Sequence, residues 1–115
     1  VETILQRLTD LDEITGAILV GKDGLIVSGA LHSDDEEMLG AMSAAVFGSV
    51  ANYTTQINNG DLRHVIIETG SGTVQFAEVG DLILVVTTST SINLGRIRLE
   101  IKKASRQLSQ AVAAY

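Results

Sequence analysis

Residues 38–60 read MLGAMSAAVFGSVANYTTQINNG, from Met38 to Gly60, without one Asp, Glu, Lys or Arg. Start signals precede the stretch. Ser33 is placed to cap a helix, Glu36 stands three residues on as in a capping box, and Asp34, Asp35 and Glu37 put negative charge in the first turn. Asn58-Asn59-Gly60 is a stop signal. The stretch therefore predicts one helix over about 34–57. Wound at about 3.6 residues per turn, it carries Leu39, Met42, Val46, Val50, Tyr53 and Ile57 along one arc, expected to face the core. Ala41, Ala44, Gly48 and Ala51 fall on the opposite arc, with Phe47 on one flank and Ala45 on the other. A helix uncharged all round is buried on both sides or spans a membrane. The membrane reading fails, because only Met38 to Ala51 is apolar, about 14 residues against the roughly 20 required. The small-residue arc suits close approach by a second helix, and symmetry points to the same helix of a second copy. The alternative is an Ala-rich exposed face, which costs nothing in helix propensity.

Working outward, Val1, Ile4, Leu5, Leu8 and Leu11 recur at helical spacing and predict a short amphipathic helix over residues 1–11. Ala17 to Val20 and Leu25 to Ala30 read as hairpin strands around Gly21-Lys22-Asp23-Gly24. Downstream, Leu62 to Thr69, Thr73 to Val79 and Leu82 to Thr88 read as strands joined at Gly70-Ser71-Gly72 and Gly80-Asp81. Loops this short make neighbours antiparallel, and strands apolar on both sides belong to a sheet covered on both faces. Ser89 to Ser91 can cap a last helix whose apolar stripe is Leu94, Ile97, Ile101, Ala104, Leu108 and Ala111 or Val112. The expected fold is α+β in a single domain over 1–115: a five-stranded antiparallel sheet between helices, in the order α-β-β-α-β-β-β-α. The first and last helices are expected on one face and the long helix on the other, which leaves that helix's outer side uncovered in a monomer.

Composition narrows the function classes. Aromatic residues make up 3% of the chain, too few for base-stacking platforms or an aromatic-lined ligand pocket. A net charge of −6 gives no general attraction to nucleic acid or anionic lipid. The absence of cysteine excludes disulfides and thiolate chemistry, and with no charged-then-apolar leader it fits a cytoplasmic location. The expected partners thus include neither nucleic acid nor a membrane.

No catalytic constellation is expected, nor any cofactor or metal. His32 reads as a loop residue and His64 as a strand residue, with no spaced carboxylates to complete a metal site or triad. The acidic run from Asp34 to Glu37 lacks the alternating ligands and central glycine of a calcium loop, and pairing with the helix dipole accounts for it. Gly70-Ser71-Gly72-Thr73 has neither the Lys nor the following helix of a phosphate loop. The polar feature that stands out is Arg96, Arg98, Lys102, Lys103 and Arg106, five of the eight basic residues gathered in the last helix. It reads as a solvated face or as a docking strip for an acidic partner.

Three stretches together resemble a known family. Leu8-x-x-Leu11 followed by Gly16-Ala17-Ile18-Leu19-Val20 and Asp23-Gly24-Leu25-Ile26-Val27 is similar to the start of a Roadblock domain, the family of dynein light chains and bacterial gliding-motility regulators of the MglB type. The Ala- and Gly-rich helix and Val65-Ile66-Ile67-Glu68-Thr69 resemble its middle, and Asn93-Leu94-Gly95-Arg96-Ile97-Arg98 the opening of its last helix. The resemblance implies a profilin-like fold and a homodimer joined through the long helix and the strand after it, merging two sheets into one. The interface positions it implies are Ala41, Ala44, Ala45, Gly48 and Ala51, with Leu62, His64 and Ile66 on the edge strand. It also implies a non-catalytic dimer that binds a Ras-like small GTPase, either scaffolding it or stimulating hydrolysis by repositioning the GTPase's own residues. On the paired helices the candidate partner contacts are Glu36, Gly40, Ser43 and Phe47. A structural adaptor for a motor or polar assembly without a GTPase, and a small-molecule sensor, are the alternatives.

Overall fold

A computed structural model describes residues 1–30, 36–90 and 93–113. Its elements follow the expected order: α1 (Glu2–Thr9), β1 (Ile14–Gly21), β2 (Ile26–Ala30), α2 (Glu36–Gln56), β3 (His64–Thr69), β4 (Gly72–Val79), β5 (Leu82–Thr88) and α3 (Leu94–Ala113). The strands form one antiparallel sheet in the spatial order β2-β1-β5-β4-β3. Chain order and spatial order differ because β5 returns to the middle, between β1 and β4. It is buried along most of its length, as its unbroken Leu-Ile-Leu-Val-Val run requires.

Side-chain alternation divides the core in two. Ala17, Leu19, Ala77, Val79, Leu84 and Val86 point to the face covered by α1 and α3, where Leu5, Leu8, Ile97, Ile101, Ala104 and Leu108 meet them. Ile18, Val20, Phe76, Ile83 and Val85 point to the other face, where Phe47 of α2 packs. The layer arrangement is the one the sequence predicts.

The helix ends depart from expectation in detail. The capping Ser33 and the acids Asp34 and Asp35 lie outside the described residues, as does His32. At the other end of α2, Asn58 takes the left-handed conformation (φ 56°). Its N–H donates to Thr55 O at 3.0 Å and the Asn59 N–H donates to Thr54 O at 2.9 Å, the Schellman pattern with Asn in the usual glycine place. The last helix is capped by Asn93, whose Oδ1 accepts the Arg96 N–H at 3.1 Å, while Ser91 of the expected Ser89–Ser91 cap lies outside the described residues.

One expectation is reversed. The strip of α2 that packs on the sheet is Gly40, Ala44 and Phe47, with Ala44 at 9% exposure and Phe47 at 3%. Met42 is 55% and Tyr53 63% exposed, and Met38, Val46 and Ile57 also face outward. Phe47 is the large side chain that enters the cluster of Ile18, Val20, Phe76, Ile83 and Val85, and the small Gly40 and Ala44 beside it let the helix come close. Gly40 shows how tight the approach is. A Cβ there would stand 2.9 Å from Ile26 Cγ1 and 3.0 Å from Gly24 O, against the β1–β2 hairpin.

Candidate functional site

Two features left open by this fold adjoin each other: the outer side of α2 and the free edge of β3. Met38, Met42, Val46, Tyr53 and Ile57 make an apolar face on α2 with no charge among them. Each such side chain gains about 1.5–3 kcal/mol on full burial, so an unpartnered face of this kind marks an interaction surface. The sequence therefore identified a helix with two uncharged sides, but the seam expected to face the core lies outward at Met42, Val46, Tyr53 and Ile57. Of the residues expected at the dimer interface, Ala44 lies against the sheet, Ala51 is half-buried, and Ala41, Ala45 and Gly48 are exposed. A Cβ built on Gly48 would meet nothing within 4 Å.

Among the candidate partner contacts, Phe47 and Gly40 are interior and unavailable for contact. Ser43 is half-buried and donates its hydroxyl to Leu39 O at 2.7 Å. Glu36 is half-buried, with its carboxylate beside Gly29 of β2. The large outward residues Met42, Val46 and Tyr53 were expected in the core, because a helical wheel does not say which arc meets the sheet.

Among the described residues β3 pairs only with β4, in unbroken register from His64 opposite Ala77 to Thr69 opposite Gly72. Its outer half is exposed, with Ile66 39% accessible, while Leu62, just before it, is half-buried. No Pro or Lys blunts this edge. On the α3 side of the strand, His64 Nε2 donates to Gln75 Oε1 at 3.0 Å, since an amide oxygen only accepts. Burial pushes the imidazole below its ordinary 6.5. The Gln75 bond pulls it back up, and Arg98 and Lys102 of α3 push it further down. Gln75 is fully buried and its Nε2 has no partner among the described residues.

The basic residues of α3 do not all face one way. Arg96 pairs with Glu13 at 3.2 Å, Lys103 borders α1, and Arg98 and Lys102 stand toward the β3 edge.

A cleft of about 250 Å³ lies between the C-terminal half of α2 and the sheet, floored by Ala44, Phe47, Ala51, Leu62 and Ile83. Lys22, paired with Glu78 at 3.2 Å, lines it together with Asp61. It falls short of the roughly 300–1,000 Å³ usual for small-molecule sites. Gly70-Ser71 makes the turn between β3 and β4, where the sequence places it, and Gly72 is already the first residue of β4. Among the described residues no three His, Asp or Glu side chains gather as a metal site, and no helix is long and apolar enough to cross a membrane.

An antiparallel five-stranded sheet with two helices on one face and one long helix on the other is the Roadblock and profilin architecture. Acanthamoeba castellanii profilin IB shares it at a TM-score of 0.71 and 17% identity, over 96% of this chain and 97% of that one. The Roadblock/LC7 domain model matches residues 1–88, and the chain belongs to that family. Its structure is similar to Myxococcus xanthus MglB, with a TM-score of 0.93 and 25% identity over 99% of this chain and 95% of that one. In sequence it is 36% identical to an uncharacterized protein of Methanocaldococcus jannaschii over 109 residues, 94% of this chain and 96% of that protein.

Proposed function

We propose that this protein is a non-catalytic homodimer that binds a Ras-like small GTPase, with stimulation of GTP hydrolysis through the GTPase's own residues as its expected effect. The observation that carries this reading is the uncharged outer face of α2 beside the open β3 edge. A second copy satisfies both at once: paired β3 strands complete each other's backbone hydrogen bonds, and paired α2 helices cover the outward side chains. The part of the helix pair that remains outward is the GTPase platform. Membership of the Roadblock/LC7 family and similarity in structure to MglB support the reading.

The test is capture from source-cell lysate on immobilised protein, once with a non-hydrolysable GTP analogue and once with GDP, alongside light scattering of the free protein. A dimer that retains a small GTPase in the GTP-analogue lane supports a state-sensing regulator. Equal retention in both lanes reduces it to a scaffold. A dimer with no GTPase in either lane leaves an adaptor.

A further inference from the structure

The main-chain groups of β3 are not equivalent along its free edge. The Glu78 N–H donates to Arg63 O at 3.0 Å, and the two residues continue the register that sets His64 opposite Ala77. Hydrogen-bonded and non-hydrogen-bonded pairs alternate in an antiparallel ladder. Val65, Ile67 and Thr69 thus turn their N–H and C=O groups toward β4, while His64, Ile66 and Glu68 turn theirs outward. The side chains of those same three residues share one face, the α3 side, because His64 pairs with core-facing Ala77 and Ile66 with buried Gln75.

Resting on the homodimer proposed above, we propose that two copies pair their β3 strands antiparallel about a two-fold axis at Ile66. Glu68 of the partner subunit then stands opposite His64, beside Arg98 and Lys102.

The alternatives fail on hydrogen bonds or on charge. An axis at Ile66 uses the outward groups of His64, Ile66 and Glu68 on both copies. An axis at Val65 leaves Glu68 beyond the paired region, and one at Ile67 leaves out His64. An axis at Glu68 sets two carboxylates against each other, and one at His64 gathers both imidazoles among two copies of Arg98 and Lys102. Only the Ile66 axis brings opposite charges face to face. Directly opposed residues in a hydrogen-bonded pair have Cα atoms about 5.5 Å apart, so the carboxylate of the partner's Glu68 reaches Arg98 and Lys102, which form no ion pair among the described residues. This gives Arg98 and Lys102 a task that a solvated face would not.

Because the chain contains no cysteine, single substitutions give clean cross-linking probes. Ile66→Cys is expected to form a self-disulfide under mild oxidation. Val65→Cys mixed with Ile67→Cys is expected to give the mixed disulfide in preference to either self-disulfide, since like residues one step off the axis lie beyond the roughly 7 Å limit for bridging. Glu68→Lys should raise the dimer dissociation constant about tenfold or more, and Lys102→Glu in the same chain should recover part of the loss. Cross-linking that peaks at Val65 or Ile67, or that is missing in a protein shown to be a dimer by light scattering, overturns the register and leaves the dimer standing. A monomeric wild-type protein overturns the dimer itself, and the register with it.

Discussion

Gly72 opens β4 with φ 152°, and a Cβ there would run into the carbonyl oxygen of Thr88. The adjoining Thr73 and Thr88 hydroxyls are buried and 2.6 Å apart. Neither the backbone nor this pair has room to yield. Gly72→Ala should cost on the order of 2–3 kcal/mol in chemical denaturation; an unchanged midpoint would show that the turn relaxes freely. His64 is the titrating residue of interest. In the isolated chain its charged form faces burial and the cations Arg98 and Lys102, with only Gln75 in its favour. Its folded pKa therefore lies below the unfolded 6.5, so its contribution to stability is present above that value and is lost as pH falls through the folded pKa. In a chain held monomeric by Val46→Glu, NMR should place the His64 titration below 6.5. In the wild-type dimer the same titration should move upward, because Glu68 of the partner subunit favours the imidazolium. At this scale the sequence identified Gly70-Ser71-Gly72 as a turn. It did not single out Gly72 as the irreplaceable glycine, because the obstructing carbonyl belongs to a strand sixteen residues away.

Strands and helices follow from local patterns: β5 from its unbroken apolar run, α3 from its single stripe, the β1–β2 hairpin from its paired glycines. The orientation of α2 does not. Two uncharged arcs are visible in residues 38–57, but the strip that meets the sheet, Gly40, Ala44 and Phe47, is set by contacts with residues distant in sequence. Small residues at Gly40 and Ala44 signal a close neighbour, and that neighbour is the sheet and its hairpin, not a second helix. Variants on the two arcs should separate. Phe47→Ala, which empties the main contact between α2 and the sheet, should lower stability by about 3–5 kcal/mol. Val46→Glu should leave the fold's circular dichroism unchanged and shift light scattering from dimer to monomer. If Val46→Glu remains dimeric, the outer face of α2 is not at the interface.

For the whole molecule, layers and strand order determine what is left over. Two helices share one face, while a single helix anchored by Phe47 covers the other, so several large apolar side chains remain outside the core. A chain of this kind gains stability when copies associate. Its thermal midpoint should rise with protein concentration, as mass action requires of a dimer that is more stable than its parts. The Val46→Glu chain should show a midpoint that does not vary with concentration. GTPase retention should fall along with dimerisation in that variant, since the platform needs both helices.

The β3 edge carries one more consequence. A strand that exposes Ile66 and Ile67 and unpaired main-chain groups will accept whatever strand arrives first. While two copies are paired, the edge is closed. Once dilution or an interface substitution separates them, the same groups become a template for open-ended stacking. Conditions that dissolve the dimer should therefore bring turbidity and thioflavin-positive material before they bring unfolding. In the proposed dimer, the seam that joins two copies also protects the chain against aggregation.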